Sequence, residues 1–414
     1  MKILLCHNYY QQPGGEDQVY ADEGELLVAA GHDVTRYEAD NDSIAGRRRL
    51  SLVRDTLWNR TASREIEQIV RRRRIDVVHF HNTFPLLSPA AYYGAHRGGA
   101  AVVQTLHNFR LVCPGANLLR DDRPCDQCLG RAVAWPGVVH ACYRNSRGAT
   151  AVVAAMLALH RALGTWRKVD AYIALTEFAR QTLAQGGLPL EKIYVKPSFL
   201  PVDPGPGDGS EDYAIYVGRL SAEKGIATLL RAWSLVPGAL RLVLIGEGPM
   251  SDAVRRATAA DPRIQWLGRR SPSEVLEIMG RAACLVLPSH CFEAFPRVLV
   301  EAFAKGTPAM VPRHGAMSEI VEEGVNGWHF APRDAADLAA RLSGVLANPA
   351  SAARLRSAAR ETYLARYCAE ANVRRLVEVY AAALGRSPRA ADGAFLADCD
   401  RKAPALGCLQ EKEA

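Results

Sequence analysis

Two glutamates in the second half of the chain have the type and spacing that could bind a sugar or a phosphate. They lie in Pro288–Pro308 (PSHCFEAFPRVLVEAFAKGTP), where seven residues separate Glu293 from Glu301. A helix is predicted to begin near Pro296-Arg297, because proline is favoured in a first helical turn. Backbone amides at such a start are free to bind an anion or hydroxyl oxygens. The alternative is two surface glutamates around an ordinary amphipathic helix.

A second stretch, Val217–Gly225 (VGRLSAEKG), follows a predicted strand and carries two positive charges between glycines. Arg219 could grip phosphate oxygens in a bidentate way, and Lys224 could act as a compact point charge. The G-x-x-x-x-G-K-[ST] spacing of a Walker A phosphate loop is absent. The alternative is a surface loop with routine charges.

Four cysteines fall close together in the first half of the chain. Cys113, Cys125, Cys128 and Cys142 lie in an insertion rich in Pro, Gly and Arg, over about 108–147. The central C-x2-C is a metal-knuckle spacing, and the flanking cysteines complete four thiolates. A structural zinc would order a loop that can bury little apolar surface. A reduced metal-free loop, two disulfides or an iron–sulfur cluster are the alternatives.

The elements that must position these residues alternate between strand and helix. Short apolar runs such as Lys2–Cys6 and Cys284–Pro288 are predicted strands, and helical sequence separates them. Such alternation predicts an α/β fold with two Rossmann-like domains, which bind ligands beyond the carboxyl ends of their strands. Two Ala/Leu/Arg-rich helices are expected over roughly 335–384. The predicted parts are an N-terminal domain over 1–200, a linker over 201–212, a C-terminal domain over 213–350, helices over 351–385 that return to the N-terminal domain, and a poorly ordered tail over 386–414.

The composition is that of an ordinary soluble globular protein, with 49% hydrophobic and 23% charged residues. No apolar run approaches the roughly 18 residues that a membrane helix needs, and the first residues do not resemble a secretory signal. The net charge is +7, with +6 in the first 200 residues. Arg47–Arg49 and Arg71–Arg74 carry the densest excess, which indicates either solvated helix faces or attraction to an anionic membrane or acceptor. Without interleaved aromatics, they do not indicate nucleic-acid binding.

Several motifs, in this order, resemble the second domain of family 4 glycosyltransferases. They are VGRLSAEKG, IGEGP, CFEAFPRVLVEAFAKGTP and SEIVEEGVNGW, and the resemblance covers about Tyr213–Asn348. The first half is similar more loosely, through the Gly14-Gly15 loop, VVHFHN and VVQTLHN. The resemblance implies a GT-B fold, in which two Rossmann-like domains face each other across a cleft. It also implies a retaining sugar transfer that needs no metal.

The resemblance assigns the donor-binding residues of the second half. Arg219 and Lys224 match the pair that holds the donor diphosphate. Glu293 matches the glutamate near the donor sugar, and Glu301 matches the acid that binds the ribose hydroxyls. The loop that approaches the sugar is Ala294-Phe295-Pro296, where the family usually has Gly-Phe-Gly. Pro296 removes one amide donor from that loop.

In the first half, the resemblance assigns two further residues. Gly15 matches the glycine loop that approaches the diphosphate, and His107 matches the histidine that lines the sugar and acceptor site. As a lone histidine at the end of a strand, His107 could instead be structural. Glu293, His107, Arg219 and Lys224 are thus the expected catalytic residues.

The expected function is transfer of a sugar from a nucleotide-diphosphate sugar to a saccharide or lipid-linked saccharide acceptor. The N-terminal domain would bind the acceptor and the C-terminal domain the donor. No cofactor is expected for catalysis, and zinc would be purely structural. We expect a cytoplasmic protein with peripheral contact to an anionic membrane. A nucleotide-sugar epimerase of the same fold and a non-catalytic nucleotide-sugar-binding protein are the alternatives.

Overall fold

The computed structural model describes residues 1–11, 14–346 and 349–385, so the predicted tail over 386–414 lies outside the described residues. Each half of the chain forms one parallel sheet of six strands. This arrangement confirms the two predicted Rossmann-like domains. In the described part of the chain, no helix has both the length and the apolar character needed to cross a bilayer.

The first sheet has the strand order β2-β1-β3-β4-β7-β8, and β5 and β6 form a separate antiparallel hairpin. The strands of the first half are β1 Lys2–Tyr9, β2 Asp33–Asp40, β3 Val77–Phe80, β4 Ala101–Leu106, β5 Leu119–Arg120, β6 Arg123–Pro124, β7 Ala171–Ala174 and β8 Ile193–Val195. Its helices are α1 Gly15–Ala29, α2 Arg49–Trp58, α3 Arg60–Arg73, α4 Ala90–Gly98, α5 Trp135–Val139, α6 Arg147–Ala162, α7 Thr165–Lys168 and α8 Glu177–Gln185, with 3-10 turns at Asn41–Ile44 and Leu190–Lys192.

The second sheet has the order β11-β10-β9-β12-β13-β14. Its strands are β9 Tyr213–Val217, β10 Arg241–Ile245, β11 Ile264–Trp266, β12 Cys284–Val286, β13 Ala309–Pro312 and β14 Gly327–Phe330. The accompanying helices are α9 Ile226–Trp233, α10 Ser251–Ala260, α11 Pro272–Arg281, α12 Arg297–Ala304, α13 Gly315–Ile320, α14 Ala335–Leu346, α15 Pro349–Arg366 and α16 Ala369–Ala383, with a 3-10 turn at Ala222–Lys224.

Both faces of each sheet are covered at its centre, which explains why central strands such as β1 and β9 carry apolar runs, whereas the edge strand β2 is largely polar. In β1, Leu4 and Cys6 join one core cluster, whereas Ile3 and Leu5 join another on the opposite face. A parallel strand buried on both sides gains nothing from polar alternation, so its sequence is apolar throughout. The same division holds in the second sheet, where Ile215 and Tyr216 belong to clusters on opposite faces.

The C-terminal region differs from the expected pair of helices, because three helices occupy it. Proline at position 349 starts α15, as suits a residue that lacks an amide hydrogen. A second break at residues 367–368 separates α15 from α16. Helix α15 packs against α12 of the second half, whereas α16 packs against β4, β7 and α1 of the first half. The chain therefore crosses between the two halves twice.

Candidate functional site

The conserved geometry of Rossmann-like sheets places a ligand where the strand order reverses. In the second sheet this point lies between β9 and β12, which are neighbours in the sheet although β10 and β11 separate them in the sequence. Arg219 and Lys224 follow β9, and Glu293 follows β12. The two motifs singled out in the sequence therefore meet at one edge of one sheet.

Lys224 and Glu293 form an ion pair at this edge. The Lys224 Nζ donates to Glu293 Oε1 at 2.5 Å, and Ser289 Oγ donates to the same oxygen at 2.7 Å. The side chains of Lys224 and Glu293 are only 29% and 14% exposed. Arg219 is exposed, and its guanidinium has no hydrogen-bond or ion-pair partner in the described part of the chain. The Lys224 ammonium group is therefore held in place by Glu293, whereas the Arg219 guanidinium is available to bind a ligand.

The pairing shifts both pKa values toward the charged forms. Burial pushes the pKa of Glu293 upward, but the charge and hydrogen bond of Lys224 and the Ser289 hydroxyl outweigh it, so the pKa lies below its ordinary value. Burial pushes the pKa of Lys224 downward, and Glu293 outweighs it in turn, so the pKa is raised. Both groups are consequently ionised at neutral pH, and each neutralises the other.

The start of α12 provides backbone donors beside this pair. The helix begins at Arg297, as the sequence predicts, and Pro296 is its N-cap residue. The amides of Ala294, Phe295 and Arg297 donate no hydrogen bond to any described residue. They remain available to an anion or to hydroxyl oxygens, and α12 adds the favourable end of its dipole.

The same segment contacts the first half of the molecule through its backbone and through the side chain of Arg297. Thr176 Oγ1 donates to the carbonyl oxygen of Ala294 at 3.3 Å, whereas the Phe295 ring packs against Tyr367. Glu301, on α12, lies 3.5 Å from Arg297, which also pairs with Asp22 of α1 at 2.8 Å. Burial raises the pKa of Glu301, and Arg297 opposes this shift. Glu301 thus lies at the interface between the two halves.

The first half contributes Gly15 and His107 at the ends of its own strands. Gly15 is the first residue of α1, and a Cβ added there would meet no atom within 4 Å. That open space leaves room for a ligand. His107 follows β4 and is partly exposed, with Nε2 at 3.1 Å from Nδ1 of His81. Burial, followed by the charges of His7 and Lys196, lowers the pKa of His107 to about 3, so its ring is neutral at ordinary pH.

A buried polar network behind His107 was missed by the sequence reasoning. Lys196 Nζ donates to Glu23 at 2.5 Å, and both side chains are fully buried. Glu23 Oε2 lies 3.4 Å from His81 Nε2 and 3.9 Å from His79 Nδ1. The available signals were the H-x-H of VVHFHN and a lysine within the apolar YVKPSF. Residues 23 and 196 are too far apart in sequence for their pairing to be inferred.

The four cysteines of the insertion surround one small cavity of about 20 Å³, together with His140 and Pro114. All four thiols are free, so the structure does not contain the two disulfides that were one alternative to a zinc site. Burial, together with the neighbouring thiols, raises the pKa of Cys128 to about 11. Among the described residues, ligand atoms of three or more His, Cys, Asp or Glu come within 4.8 Å only at Glu23, His79 and His81. The four cysteine sulfurs line one cavity, but no three of them lie within 4.8 Å of one another.

The fold and the site together define a class of protein, the GT-B proteins, in which two Rossmann-like domains enclose a nucleotide-binding cleft. The crystal structure of HepE from Anabaena in complex with UDP has this fold. It superimposes with a TM-score of 0.67 at 17% sequence identity, covering 91% of this chain and 99% of that one. At this identity the similarity shows the fold alone.

Family profiles divide the chain at the same place as the two sheets. The profile of Glycosyltransferase Family 4 matches residues 13–203, and that of Glycosyl transferases group 1 matches residues 205–362. The chain belongs to the family 4 glycosyltransferases, as the sequence motifs implied.

Curated relatives are similar over only part of their length. Glycogen synthase of Mycobacterium tuberculosis is 40% identical over 160 residues, which is 36% of this chain and 37% of that protein. Lipopolysaccharide 1,6-galactosyltransferase of Escherichia coli is 28% identical over 191 residues, which is 43% of this chain and 53% of that protein. The chain thus matches between about a third and a half of the length of these two proteins.

Proposed function

We propose that this chain is a retaining glycosyltransferase that moves a sugar from a nucleotide-diphosphate sugar to a saccharide or lipid-linked saccharide. The observation that carries the proposal is the ion pair of Lys224 with Glu293 beside the unpartnered amides of the α12 start. This arrangement offers backbone donors and a lysine that can exchange its carboxylate partner for a phosphate where a diphosphate would lie, with Arg219 as an unpaired cation nearby. The complex of HepE with UDP and the galactosyl transfer named for the Escherichia coli relative support it.

The leaving group of such a reaction is a nucleoside diphosphate, and its negative charge grows in the transition state. Lys224, Arg219 and the α12 amides would stabilise that charge, which makes catalysis independent of a metal ion. A bound phosphate would draw Lys224 away from Glu293. The released carboxylate could then accept hydrogen bonds from the donor sugar, while Glu301 binds the ribose hydroxyls.

Retention of configuration is proposed to follow a same-face path. The C1–O bond to the diphosphate breaks, the acceptor oxygen bonds to C1 on the same face, and the acceptor proton passes to the departing phosphate. In this proposal Glu293 accepts hydrogen bonds from the donor sugar and from Ser289, and it does not act as the nucleophile in a double displacement like that of retaining glycosidases. His107, being neutral, would orient the sugar at Gly15's end of the cleft.

Substitution of Lys224 or Glu301 by Ala is expected to lower the rate of sugar transfer at least about 100-fold, because a transition-state contact is lost in each. Donors are first identified by thermal shift with a panel of UDP- and GDP-sugars. Lys168→Ala and Glu277→Ala, at exposed positions, serve as matched controls.

Transfer near the wild-type rate in both site variants would overturn the assignment. Donor turnover without any acceptor would indicate an epimerase instead. Donor binding with neither transfer nor hydrolysis would indicate a non-catalytic binding protein.

We propose a structural zinc for the insertion, held by Cys113, Cys125, Cys128 and Cys142. Their cavity of about 20 Å³ has room for one water-sized ion. The four sulfurs would have to move closer together to coordinate a tetrahedral ion, which would displace the thiol protons. The hairpin of the insertion also contacts the second half, where Asp122 lies 3.3 Å from His290. A bound zinc would therefore stabilise this contact, which lies in the segment after β12 that also carries Glu293.

Metal analysis of freshly purified protein is expected to find about one zinc per chain. Cys128→Ser should remove it and lower the melting temperature, whereas Cys368→Ser, outside the insertion, should change neither. A zinc content near zero in the wild-type protein would reject the site.

We further propose that the protein works at the inner face of the membrane through α2. Leu50 there is 85% exposed beside Arg47–Arg49, which suits an anionic surface. Co-sedimentation with anionic but not neutral vesicles, weakened by Leu50→Ser, is the expected result. Equal sedimentation with both would contradict it.

A further inference from the structure

A large cleft in the first half of the molecule lies beside the donor site. It has a volume of about 950 Å³ and runs between α2 and α6, with Phe84 and Pro85 in its wall. Arg219, in the loop after β9, lines the cleft as well. The cleft is therefore continuous with the place where the donor diphosphate is proposed to lie.

The charged residues that line this cleft are all positive. They are Arg49, Arg110, Arg144 and Arg219, and no Asp or Glu is among the lining residues. None of these arginines forms an ion pair within the described part of the chain. By contrast, Arg47 and Arg54 on the outside of the same region both pair with Asp55. No ion pair among the described residues therefore offsets the positive charge of the cleft, and the carboxyl group that interacts electrostatically with Arg110 is that of Glu16.

Arg110 is held in a fixed orientation within the wall. Its guanidinium donates to the carbonyl oxygen of Pro114 at 2.6 Å and stacks 4.6 Å from the Phe84 ring and 5.0 Å from the Tyr143 ring. Its Nε is buried without any partner among the described residues. A buried cationic donor without an acceptor is costly, and an anionic ligand would satisfy it.

Apolar side chains form much of the remaining lining, beside the polar residues Gln11, Asn41, Thr56 and Ser146. Ile44, Leu52 and Val53 stand on the α2 side, and Val152 and Val153 on the α6 side. A purely saccharide acceptor could use the polar lining residues, but it would leave the apolar side chains of α2 and α6 without a matching partner. Apolar walls with a cluster of arginines match a ligand that has an apolar chain and a phosphate.

We infer that the acceptor is a sugar joined through a phosphate or diphosphate to an apolar chain. Its phosphate groups would contact Arg49, Arg110 and Arg144, and its chain would lie between α2 and α6. The sugar end would then point toward Arg219 and the donor. The acceptor's own phosphate bonds stay intact during transfer. This inference rests on the proposed function and names the acceptor class of the same site.

Binding of dodecyl diphosphate, measured by calorimetry below its micelle concentration, tests the inference without any transfer. The Arg49→Gln/Arg144→Gln double variant is expected to bind it at least tenfold more weakly than the wild type. Lys224→Ala, which disables the donor site, should bind it as the wild type does. Arg48→Gln, next to the cleft but outside its lining, is the matched control.

Two comparison ligands separate the sources of affinity. Inorganic diphosphate and the neutral dodecyl maltoside should each bind at least tenfold more weakly than dodecyl diphosphate. Undiminished binding by the double variant, equal binding of the neutral ligand, or loss of binding in Lys224→Ala would overturn the inference. None of these results depends on sugar transfer, so failure of the proposed function would be seen separately, as no donor-induced thermal shift.

Discussion

Two buried lysine–glutamate pairs in this molecule have different surroundings. Lys196 and Glu23 are fully enclosed, and Asn372 also accepts from Lys196 at 3.2 Å. Lys224 is partly exposed at the edge of the second sheet, where it can leave Glu293 for a phosphate. Removing one partner of an enclosed pair leaves an unpaired buried charge and costs about 3–5 kcal/mol. The Lys196–Glu23 pair is therefore structural, whereas Lys224 can exchange Glu293 for a phosphate.

Glu16, in the first turn of α1, gives a pH dependence that can be measured. Burial, with a further contribution from Asp17, raises the pKa of its carboxyl to about 8. The folded state therefore favours the protonated form. Its stabilising contribution is complete below the unfolded pKa of about 4.5 and is lost as the pH rises through about 8. Glu16→Gln should accordingly gain stability relative to the wild type between pH 4.5 and 8.5.

Melting temperatures across that pH range check this expectation. Glu25→Gln, at an exposed position of the same helix, is the control and should show a constant offset. A constant offset for Glu16→Gln as well would contradict the raised pKa.

At the scale of elements, the site depends on how closely the β9–α9 loop approaches the segment after β12. Gly225, next to Lys224, has φ +75°, and a Cβ there would lie 1.8 Å from the carbonyl oxygen of Pro288. Only glycine permits both the backbone conformation and the contact. The glycine thereby fixes the separation of Lys224 from Glu293.

Gly225→Ala should destabilise the protein more than the left-handed conformation alone would. Gly238→Ala is a matched control, since Gly238 has φ +80° and open space around its Cβ position. The control should cost about 1–2 kcal/mol, the usual price of a left-handed alanine. Gly225→Ala should cost at least twice as much and abolish the donor-induced thermal shift. Equal losses of stability in the two variants would contradict the close packing.

The sequence predicted the elements around the site better than the contacts behind it. The β9 and β12 strands, the loops after them and the start of α12 at Arg297 follow from apolar runs, glycines and a proline, which are local signals. The three-helix ending was missed because its Ala/Leu/Arg-rich sequence is helical throughout, so its break at residues 367–368 had no clear local marker. The pairing of Glu23 with Lys196 depends on tertiary contact and has no local signal.

For the whole molecule, α16 is the element that connects the two halves a second time. Leu376, Val379 and Tyr380 pack into the same core cluster as Ile3 and Leu5 of β1. Tyr380 also hydrogen-bonds to His79 at 2.8 Å. A helix encoded after the second sheet thus completes one face of the first.

Leu376→Ala should therefore weaken the first sheet selectively. Truncation of a fully buried leucine costs about 2–5 kcal/mol, and Leu376 has no exposed surface. Hydrogen exchange followed by mass spectrometry should show faster exchange in β1, β3, β4 and β7 than in the wild type. Leu364→Ala, at a position 48% exposed on α15, is the control. Equal acceleration in both sheets would contradict the selective effect.

The position of α16 has a consequence for folding during synthesis. Every strand of the first sheet has been synthesised once residue 195 is added. Helix α16, which completes the cover of one face of this sheet, begins more than 170 residues later. The second sheet and its covering helices are complete earlier, by residue 366. Helix α1 covers part of that face from the start. The remaining apolar surface is exposed to chaperones or to aggregation until α16 is made, so the half that is translated first is completed last.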